Sequence, residues 1–409
     1  MKARTVRLDA DLDPVVLGAR SGTLWARPGL ALAGVGESLR IPLDRPAGGA
    51  VAQAALAAVD GPDELDVPGS GAVAFASLPF TPNAPGELVV PELLLGRGPD
   101  GRRWLTIVDD GSLAVDDAVE RLRAVIDRPV PDGGEPSSIT IDSVIDPAVW
   151  RDVIIGTVRD RIRAGELVKA VLARELRVSA DRPFDPARVV DRLVERFPAA
   201  IVFSLAGFVG ASPELLVARS GDVVGAHPLA GTAPRSSDPA ADQALAAGLL
   251  ASTKDRSEHQ ITIDWLLDNL LPFCSYVDAE PRPTIVSLAN VHHLGTRVEG
   301  RLSSPPTSIL DLVAALHPTP AVGGDPQATA LDLIGEIESA DRGCYAGPTG
   351  WIDADGNGAF AVAIRSARID GRTASCFAGV GVVADSDPRS ELAETRSKFE
   401  AILGALVDV

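Results

Sequence analysis

The chain has 409 residues, a hydrophobic content of 46% and a formal net charge of −18 at pH 7. This composition supports a large packed core rather than disorder, and the uncompensated negative charge argues against nucleic acid and anionic membranes as partners. No apolar run reaches the roughly 18 residues needed to span a bilayer, and the N-terminus lacks the apolar stretch of a signal peptide, so a cytoplasmic protein is expected.

The first third of the chain predicts short strands separated by turns. Residues 73–78 and 87–90 are apolar runs bounded by turn residues, as in strands. Residues 116–126 have the pattern of a helix, and the segment PDGGEP at 131–136 predicts a linker or surface loop. Residues 1–140 contain no chemical motif that we recognise.

The remaining residues alternate clear helices and strands. Strands are predicted over 167–178, 201–208, 214–219, 223–226 and 295–302 and near Ile285, and helices over 146–164, 186–197 and 239–271. The Asp-Gly and Asn-Gly steps of DADGNG (353–358) predict a hairpin, and Pro388 suits the first turn of a C-terminal helix. Because strands outnumber helical crossovers, we expect an α+β fold with antiparallel sheets and helices packed outside.

Lysine is rare in this chain, and one internal lysine interrupts an apolar strand. Only four of the 38 basic residues are lysines, namely Lys2, Lys169, Lys254 and Lys398. Burial can lower the pKa of a lysine into a useful range, whereas arginine stays charged, so a retained lysine favours a chemical role. Lys169 could act as a neutral base if it is buried, although strand alternation also allows it to face solvent.

Glu214 stands among apolar neighbours in GASPELLV (210–217). Burial would raise the pKa of its carboxyl group, as a general acid requires. The alternative is a glutamate on an edge strand that points to water.

Two predicted helices carry candidate ligands for a hard cation. Asp255 and Glu258 lie on one helix face, and hard divalent cations such as Mg²⁺ prefer such oxygen ligands. In the C-terminal helix, Glu391, Glu394 and Lys398 share a strip beside an apolar stripe. Exposed helix surfaces with an ordinary Glu394–Lys398 pair would have the same pattern. The three cysteines lack CxxC spacing, which argues against a thiolate zinc site.

Other polar and glycine residues suit the binding of a small anion. Gly231, Gly379 and Gly381 allow close approach of the backbone to a ligand. Arg365, inside a strand pattern, is a candidate bidentate clamp for a carboxylate. Tyr345 is one of two tyrosines, and its alternative role is that of a core aromatic residue.

Taken in order, these segments resemble the chorismate-utilising enzymes, a family that includes isochorismate, salicylate, anthranilate and aminodeoxychorismate synthases. The matching segments are LVKAVLAR (167–174), GASPELL (210–216), HPLAGTAPR (227–235), KDRSEH (254–259), VHHLGT (291–296), HPTPAVGG (317–324), DRGCYAGPTGW (341–351), FAVAIRS (360–366) and AGVGVVADSDPRSELAETRSK (378–398). The resemblance implies one domain over residues 1–409 with a two-sheet core. Residues 145–405 would form its catalytic part, and residues 1–140 match weakly.

A few positions distinguish the subfamilies. Ammonia-using members typically carry Gln where this chain has Lys169, and aminodeoxychorismate synthases carry a nucleophilic Lys where it has Ala230. The segment 317–322 is similar to that of isochorismate synthases. The resemblance therefore implies an isomerase that converts chorismate to isochorismate, acting as a monomer without a glutaminase subunit. A salicylate synthase and a catalytically silent chorismate-binding protein remain alternatives, and both menaquinone and siderophore synthesis could use the product.

The resemblance also implies a role for each matched residue. Lys169 would be the base and Glu214 the acid, and Glu258 and Glu394 would hold Mg²⁺, with Glu391 and Asp255 contributing through water. The implied substrate contacts are Ala230, Gly231, Thr232, His293, Tyr345, Arg365, Gly379, Gly381 and Lys398. In this interpretation Lys398 contacts substrate instead of pairing with Glu394.

Overall fold

Strand pairing accounts for most of the regular structure. The computed structural model describes residues 1–44, 48–82, 84–128, 135–289 and 291–407. Its strands are β1 (Lys2–Leu8), β2 (Thr23–Arg27), β3 (Leu30–Val35), β4 (Leu39–Leu43), β5 (Val73–Ser77), β6 (Gly86–Val90), β7 (Leu93–Arg97), β8 (Arg103–Asp109), β9 (Ile139–Ser143), β10 (Lys169–Ala180), β11 (Ile201–Leu205), β12 (Phe208–Ser212), β13 (Leu215–Ser220), β14 (Val223–His227), β15 (Leu229–Pro234), β16 (Cys274–Ala279), β17 (Thr284–Ser287), β18 (Val291–Gly295), β19 (Val298–Leu302), β20 (Gly324–Asp325), β21 (Pro348–Asp353), β22 (Gly358–Val362), β23 (Ser366–Asp370) and β24 (Thr373–Val382).

The helices lie between and after these strands. They are α1 (Pro14–Ser21), α2 (Gly49–Val59), α3 (Val115–Ile126), α4 (Pro147–Val149), α5 (Gly156–Arg163), α6 (Pro186–Arg196), α7 (Pro239–Ala251), α8 (Thr253–Leu270), α9 (Ile309–Leu316), α10 (Gln327–Ile337) and α11 (Pro388–Val407). A π-helical segment, Trp150–Ile155, joins α4 to α5, and a 3₁₀ turn, Leu271–Phe273, follows α8. Among the described residues, no helix combines the length and apolar character needed to cross a membrane.

The strands form two large sheets and one small sheet. Sheet A has the order β1-β8-β7-β3-β2-β11-β12-β23-β24-β10-β20, and β9 also pairs with β10. Sheet B has the order β16-β19-β14-β13-β22-β21-β5-β6-β4, and sheet C has the order β15-β18-β17. Neighbouring strands run antiparallel, which confirms the α+β prediction. Sheets A and B each combine strands from the first third of the chain with strands from the rest.

Aromatic side chains fill the space between sheets A and B. Trp25 and Phe203 of sheet A share a buried cluster with Phe75 and Trp351 of sheet B. The rings of Trp25 and Trp351 meet edge to face at a centroid distance of 6.4 Å, a favoured aromatic geometry. A second cluster packs α1, α3, α6 and α11 against strands of sheet A, so helices cover the outer side of that sheet.

Most predicted elements are present, but three predictions on their limits were wrong. The predicted strand over 201–208 is a hairpin, because Ala206 and Gly207 turn the chain with φ angles of 49° and 80°. The predicted strand over 295–302 is divided between β18 and β19. The helical region 239–271 breaks at Ser252, whose hydroxyl accepts a hydrogen bond from the Asp255 N–H and so caps α8. Of the predicted loop at 131–136, residues 131–134 lie outside the described residues.

Candidate active site

One cavity is lined by every residue that the sequence nominated. These residues are Lys169, Glu214, Ala230, Gly231, Thr232, Asp255, Glu258, His293, Tyr345, Arg365, Gly379, Gly381, Glu391, Glu394 and Lys398. They come from β10 and β24 of sheet A, from sheet C, from the loops next to β13, β21 and β22, and from α8 and α11. The fold therefore brings together residues that lie up to 229 positions apart in the sequence.

Lys169 begins β10 and is 1% exposed, so the solvent-facing alternative is wrong. Its ammonium group donates a 2.8 Å hydrogen bond to Oε1 of Glu258. A Cβ atom at Gly381 would lie 2.7 Å from Cε of Lys169 and 3.0 Å from Oε1 of Glu258, so only glycine leaves room for this pair. Burial tends to raise the pKa of Glu258, but the positive charges of Lys169, Lys398 and Lys254 outweigh it and hold the pKa below its usual value.

Glu214 lies in the short connection between β12 and β13 and is 3% exposed, so it does not point to water. Its N–H donates to the Ser212 hydroxyl over 3.2 Å, which fixes the backbone at this point. Burial raises the pKa of the carboxyl group to about 7, against smaller opposing effects of the Leu229 N–H and the Arg365 charge. The protonated form is therefore substantially populated near neutral pH, as a proton donor requires.

Arg365 is oriented by a neutral histidine. It is 6% exposed with a φ of 55°, and Nη2 donates to Nε2 of His293 over 3.0 Å. Because a guanidinium only donates, the His293 proton is on Nδ1, which lies 3.1 Å from both the Gly231 carbonyl oxygen and the Thr232 hydroxyl. Burial and the Arg365 charge lower the pKa of His293 well below its usual value.

The guanidinium group of Arg365 also lines the cavity. Within the described residues, its buried Nε has no hydrogen-bond partner. An unsatisfied buried donor is costly, and a carboxylate is the acceptor that matches the guanidinium fork. Arg365 is thus poised to bind an anionic group in the cavity.

Tyr345 supplies a second buried donor. Its ring stacks on Phe377 with a centroid distance of 5.3 Å and an interplanar angle of 22°. Burial raises the pKa of the phenol, so the hydroxyl stays protonated. A Cβ atom at Gly379 would lie 3.4 Å from this hydroxyl, so Gly379 keeps the approach to Tyr345 uncrowded.

The acidic wall of the cavity combines two helices, α8 with Asp255 and Glu258 and α11 with Glu391 and Glu394. The ammonium group of Lys398 lies 2.7 Å from Oε1 of Glu394 and donates to the Gly379 carbonyl over 2.8 Å. The expectation that Lys398 does not pair with Glu394 was therefore wrong, because helical i,i+4 spacing brings the two side chains together.

The wall suits a hard cation by its chemistry. Burial and the neighbouring Glu394 charge raise the pKa of Glu391 to about 7, and a cation would relieve that repulsion. In the described part of the chain, no three His, Cys, Asp or Glu side chains converge as a ready-made metal site. Mg²⁺ commonly uses only one or two carboxylates and keeps several waters, so carboxylates on two facing helices fit it.

The sequence analysis missed some lining residues. They are Val171, Pro213, Leu229, Lys254, Ala321, Val322, Arg342, Ala346, Ile364 and Ser390. Arg342 is 4% exposed and donates to the carbonyls of Val171 and Val322 over 2.7 and 3.0 Å, and to the Glu338 carboxylate over 2.6 Å. It thereby ties β10 to the loop before β20. The signal that could have identified Arg342 is its place in the matched segment DRGCYAGPTGW, three positions before Tyr345.

Fold and site together define the class of protein. The sequence profile described as chorismate binding enzyme matches residues 24–407, and the chain belongs to this family. The MenF protein of Mycobacterium tuberculosis is 39% identical over 353 residues, which cover 83% of this chain and 87% of that protein. The isochorismate synthase MenF of Bacillus subtilis is 37% identical over 333 residues, which cover 78% of this chain and 69% of the relative.

Solved structures have the same fold. The DhbC protein of Bacillus anthracis superposes with a TM-score of 0.81 at 30% identity, covering 96% of this chain and 98% of that chain. The menaquinone-specific isochorismate synthase MenF of Escherichia coli has a TM-score of 0.82 at 24% identity, covering 99% of this chain and 94% of that chain. At that identity the second likeness shows the fold alone, and it confirms the architecture.

Proposed function

We propose that the protein is an isochorismate synthase, which adds water to C2 of chorismate while the C4 hydroxyl group leaves. The observation that carries this proposal is the presence of Lys169 and Glu214, both buried, in one cavity with Arg365. A lysine at position 169 provides a base for water, and the relative named isochorismate synthase MenF supports the same product.

Two buried groups of opposite role would move the protons. Lys169 accepts a proton from the attacking water, and Glu214 gives its proton to the C4 oxygen, which leaves as water. Lys169 must be neutral at that moment, so its ammonium group, which donates to Glu258, first releases one proton to solvent. The raised pKa of Glu214 keeps the complementary acid protonated near neutral pH.

The remaining lining residues would bind the two carboxylates of the substrate. Glu258 and Glu394, with Glu391 and Asp255 acting through water, would hold Mg²⁺, which supplies positive charge for the ring carboxylate. Arg365 and Tyr345 hold the enolpyruvyl carboxylate. The other substrate contacts in this proposal are Ala230, Gly231, Thr232, His293, Gly379, Gly381 and Lys398.

The product of the reaction tests the proposal. The purified protein is incubated with chorismate and Mg²⁺, and the products are separated by chromatography. Isochorismate is the expected product. Salicylate with pyruvate would favour the salicylate synthase alternative, and an aminated product that depends on ammonium would contradict the water-using assignment. Binding of chorismate without turnover would indicate a silent binding protein.

We also propose that the chain acts alone. Water as the nucleophile requires no ammonia and therefore no glutaminase subunit. Both large sheets draw strands from residues 1–140 and from residues 145–405, which supports one working unit over the whole chain. We propose that this unit acts as a monomer.

A further inference from the structure

The cavity lining includes one exposed lysine, Lys254. Three of the four lysines line this cavity. Lys169 and Lys398 are each paired with a glutamate, at 2.8 and 2.7 Å. Lys254 is exposed, and within the described residues its ammonium group makes no hydrogen bond or ion pair. Lys254 is therefore the cavity lysine whose charge is available to a molecule arriving from solvent.

The position of Lys254 in its helix is electrostatically unfavourable. It is the second residue of α8, which begins at Thr253 and has 18 residues. The N-terminus of a helix is its positive end, where acidic residues are stabilising and a lysine is not. The helix terminus itself does not favour a lysine here, in a chain that uses lysine so rarely.

The local charge balance differs from that of the whole chain. The cavity is lined by five acidic and five basic side chains, whereas the chain as a whole carries −18. The first turns of α8 and α11 both line this cavity, through Lys254 and Ser390, and add the positive ends of two helices. The mouth is thus the place where a small anion can approach an acidic protein.

We propose that Lys254 is a capture residue, which attracts the dianionic substrate to the mouth and speeds its binding without taking part in the chemistry. The inference rests on the proposed function, since it names how that site acquires chorismate. Arg342 and Arg365 are 4% and 6% exposed, so they can contact the substrate only after it has entered. Lys254 acts before entry, through its charge.

The test compares K254Q and K254R with K2Q, which removes a lysine far from the cavity mouth in the sequence and outside its lining. All assays use saturating Mg²⁺, because the Lys254 charge also acts on Glu258 and Glu391. At low ionic strength K254Q is expected to lower kcat/KM by about threefold to tenfold, with kcat within about twofold of the wild type. The difference should shrink at about 0.5 M salt, where charges are screened within a few Å.

The control variants and the unfolding temperature distinguish loss of the Lys254 charge from damage to the fold. K254R should keep most of the kcat/KM, and K2Q should match the wild type. K254Q should unfold at a temperature close to that of the wild type, because it removes an unfavourable cation from a helix N-terminus together with the attraction of that cation to Glu258 and Glu391. Equal kcat/KM for wild type and K254Q at every ionic strength would overturn the proposal, and so would a hundredfold loss of kcat that K254R does not restore.

Failure of the capture role and failure of the proposed function give different results. If the wild type does not turn over chorismate, the function proposed above is wrong. Calorimetric binding of chorismate at low and high salt then still tests Lys254. Weaker binding by K254Q at low salt supports the capture role, whereas equal binding by both proteins, or no binding by the wild type, contradicts it.

Discussion

At the scale of single residues, Glu214 links catalysis to pH. Burial raises its pKa to about 7, so the free enzyme loses its proton donor as the pH rises through this value. We expect kcat/KM to fall on that side of the profile, because kcat/KM reports ionisation of the free enzyme. E214Q cannot donate a proton and should be inactive at every pH, as product chromatography would show.

Stability measurements on E214Q test the raised pKa of Glu214 independently of activity. A group with a raised folded-state pKa contributes stability that is present below its ordinary value of 4.5 and lost as the pH rises through about 7. The wild type should therefore lose about 3 kcal/mol relative to E214Q between pH 4 and pH 8. Denaturant unfolding of both proteins at several pH values measures this difference. A constant difference would show that Glu214 titrates normally.

Two substitutions of Lys169 distinguish its role as a base from its ion pair with Glu258. Lys169→Ala removes both and should lower isochorismate formation by roughly 10² or more. Lys169→Arg keeps a cation beside Glu258, but arginine does not lose its proton, so activity should be lost while the folded state is largely retained. Turnover of chorismate by K169R at a rate near that of the wild type would contradict the base assignment.

The predictability of the site also differs from residue to residue. Ordered motifs nominated fifteen of the lining residues but missed others, among them Lys254 and Arg342. They did not predict that Lys169 pairs with Glu258, because these residues are 89 positions apart and their contact depends on the packing of α8 against the end of β10. Whether Glu214 was buried was also undecided, since alternation in a short strand is compatible with either face.

At the scale of secondary structure, β24 shapes the site through Gly379 and Gly381, which have no side chains. Gly381→Ala would place a methyl group 2.7 Å from Cε of Lys169. The atoms that must move are the ends of flexible side chains, so we expect the fold to persist and turnover of chorismate to fall at least tenfold. Gly225→Ala is the control, since Gly225 is also a strand residue, lies outside the cavity lining and would bring its Cβ atom no closer than 3.6 Å to a neighbour. The two variants are compared by kcat and melting temperature. Equal kcat values would contradict the view that Gly381 leaves room for Lys169 and Glu258.

Two local structures had no adequate signal in the sequence. The turn between β11 and β12 places Ala206 at a φ of 49°, a conformation that L-residues rarely adopt, so Ala206-Gly207 was predicted as strand. The π-helical segment Trp150–Ile155 contains neither Gly nor Pro, so the sequence pattern there resembled that of an ordinary helix. In contrast, α11 was predictable, because Pro388 and the stripe of Leu392 and Phe399 follow simple rules.

At the scale of the whole molecule, sheet order depends on contacts that a sequence pattern does not contain. In sheet A, β2 pairs with β11, and in sheet B, β5 pairs with β21. Each pair joins the first third of the chain to a distant segment. Periodicity predicts strands one at a time, so it could not reveal that the opaque first third shares both sheets with the catalytic part. The resemblance to a known family implied a single domain with a two-sheet core, but not which strands pair.

Mg²⁺ should stabilise the whole folded molecule, because its proposed ligands Glu258 and Glu394 lie on helices that are far apart in the sequence. Ligand binding to the folded state alone raises stability by about 2.7 kcal/mol at 100 times Kd, so Mg²⁺ should raise the melting temperature by a few degrees. EDTA should abolish turnover, and Mg²⁺ should restore it.

Screening of the −18 charge could also stabilise the fold, so NaCl at matched ionic strength is the control. The wild type should gain more from Mg²⁺ than from NaCl, whereas the double variant Glu258→Gln with Glu394→Gln should respond equally to both salts. Full activity after exhaustive chelation, or equal thermal shifts of the wild type in the two salts, would refute the metal site.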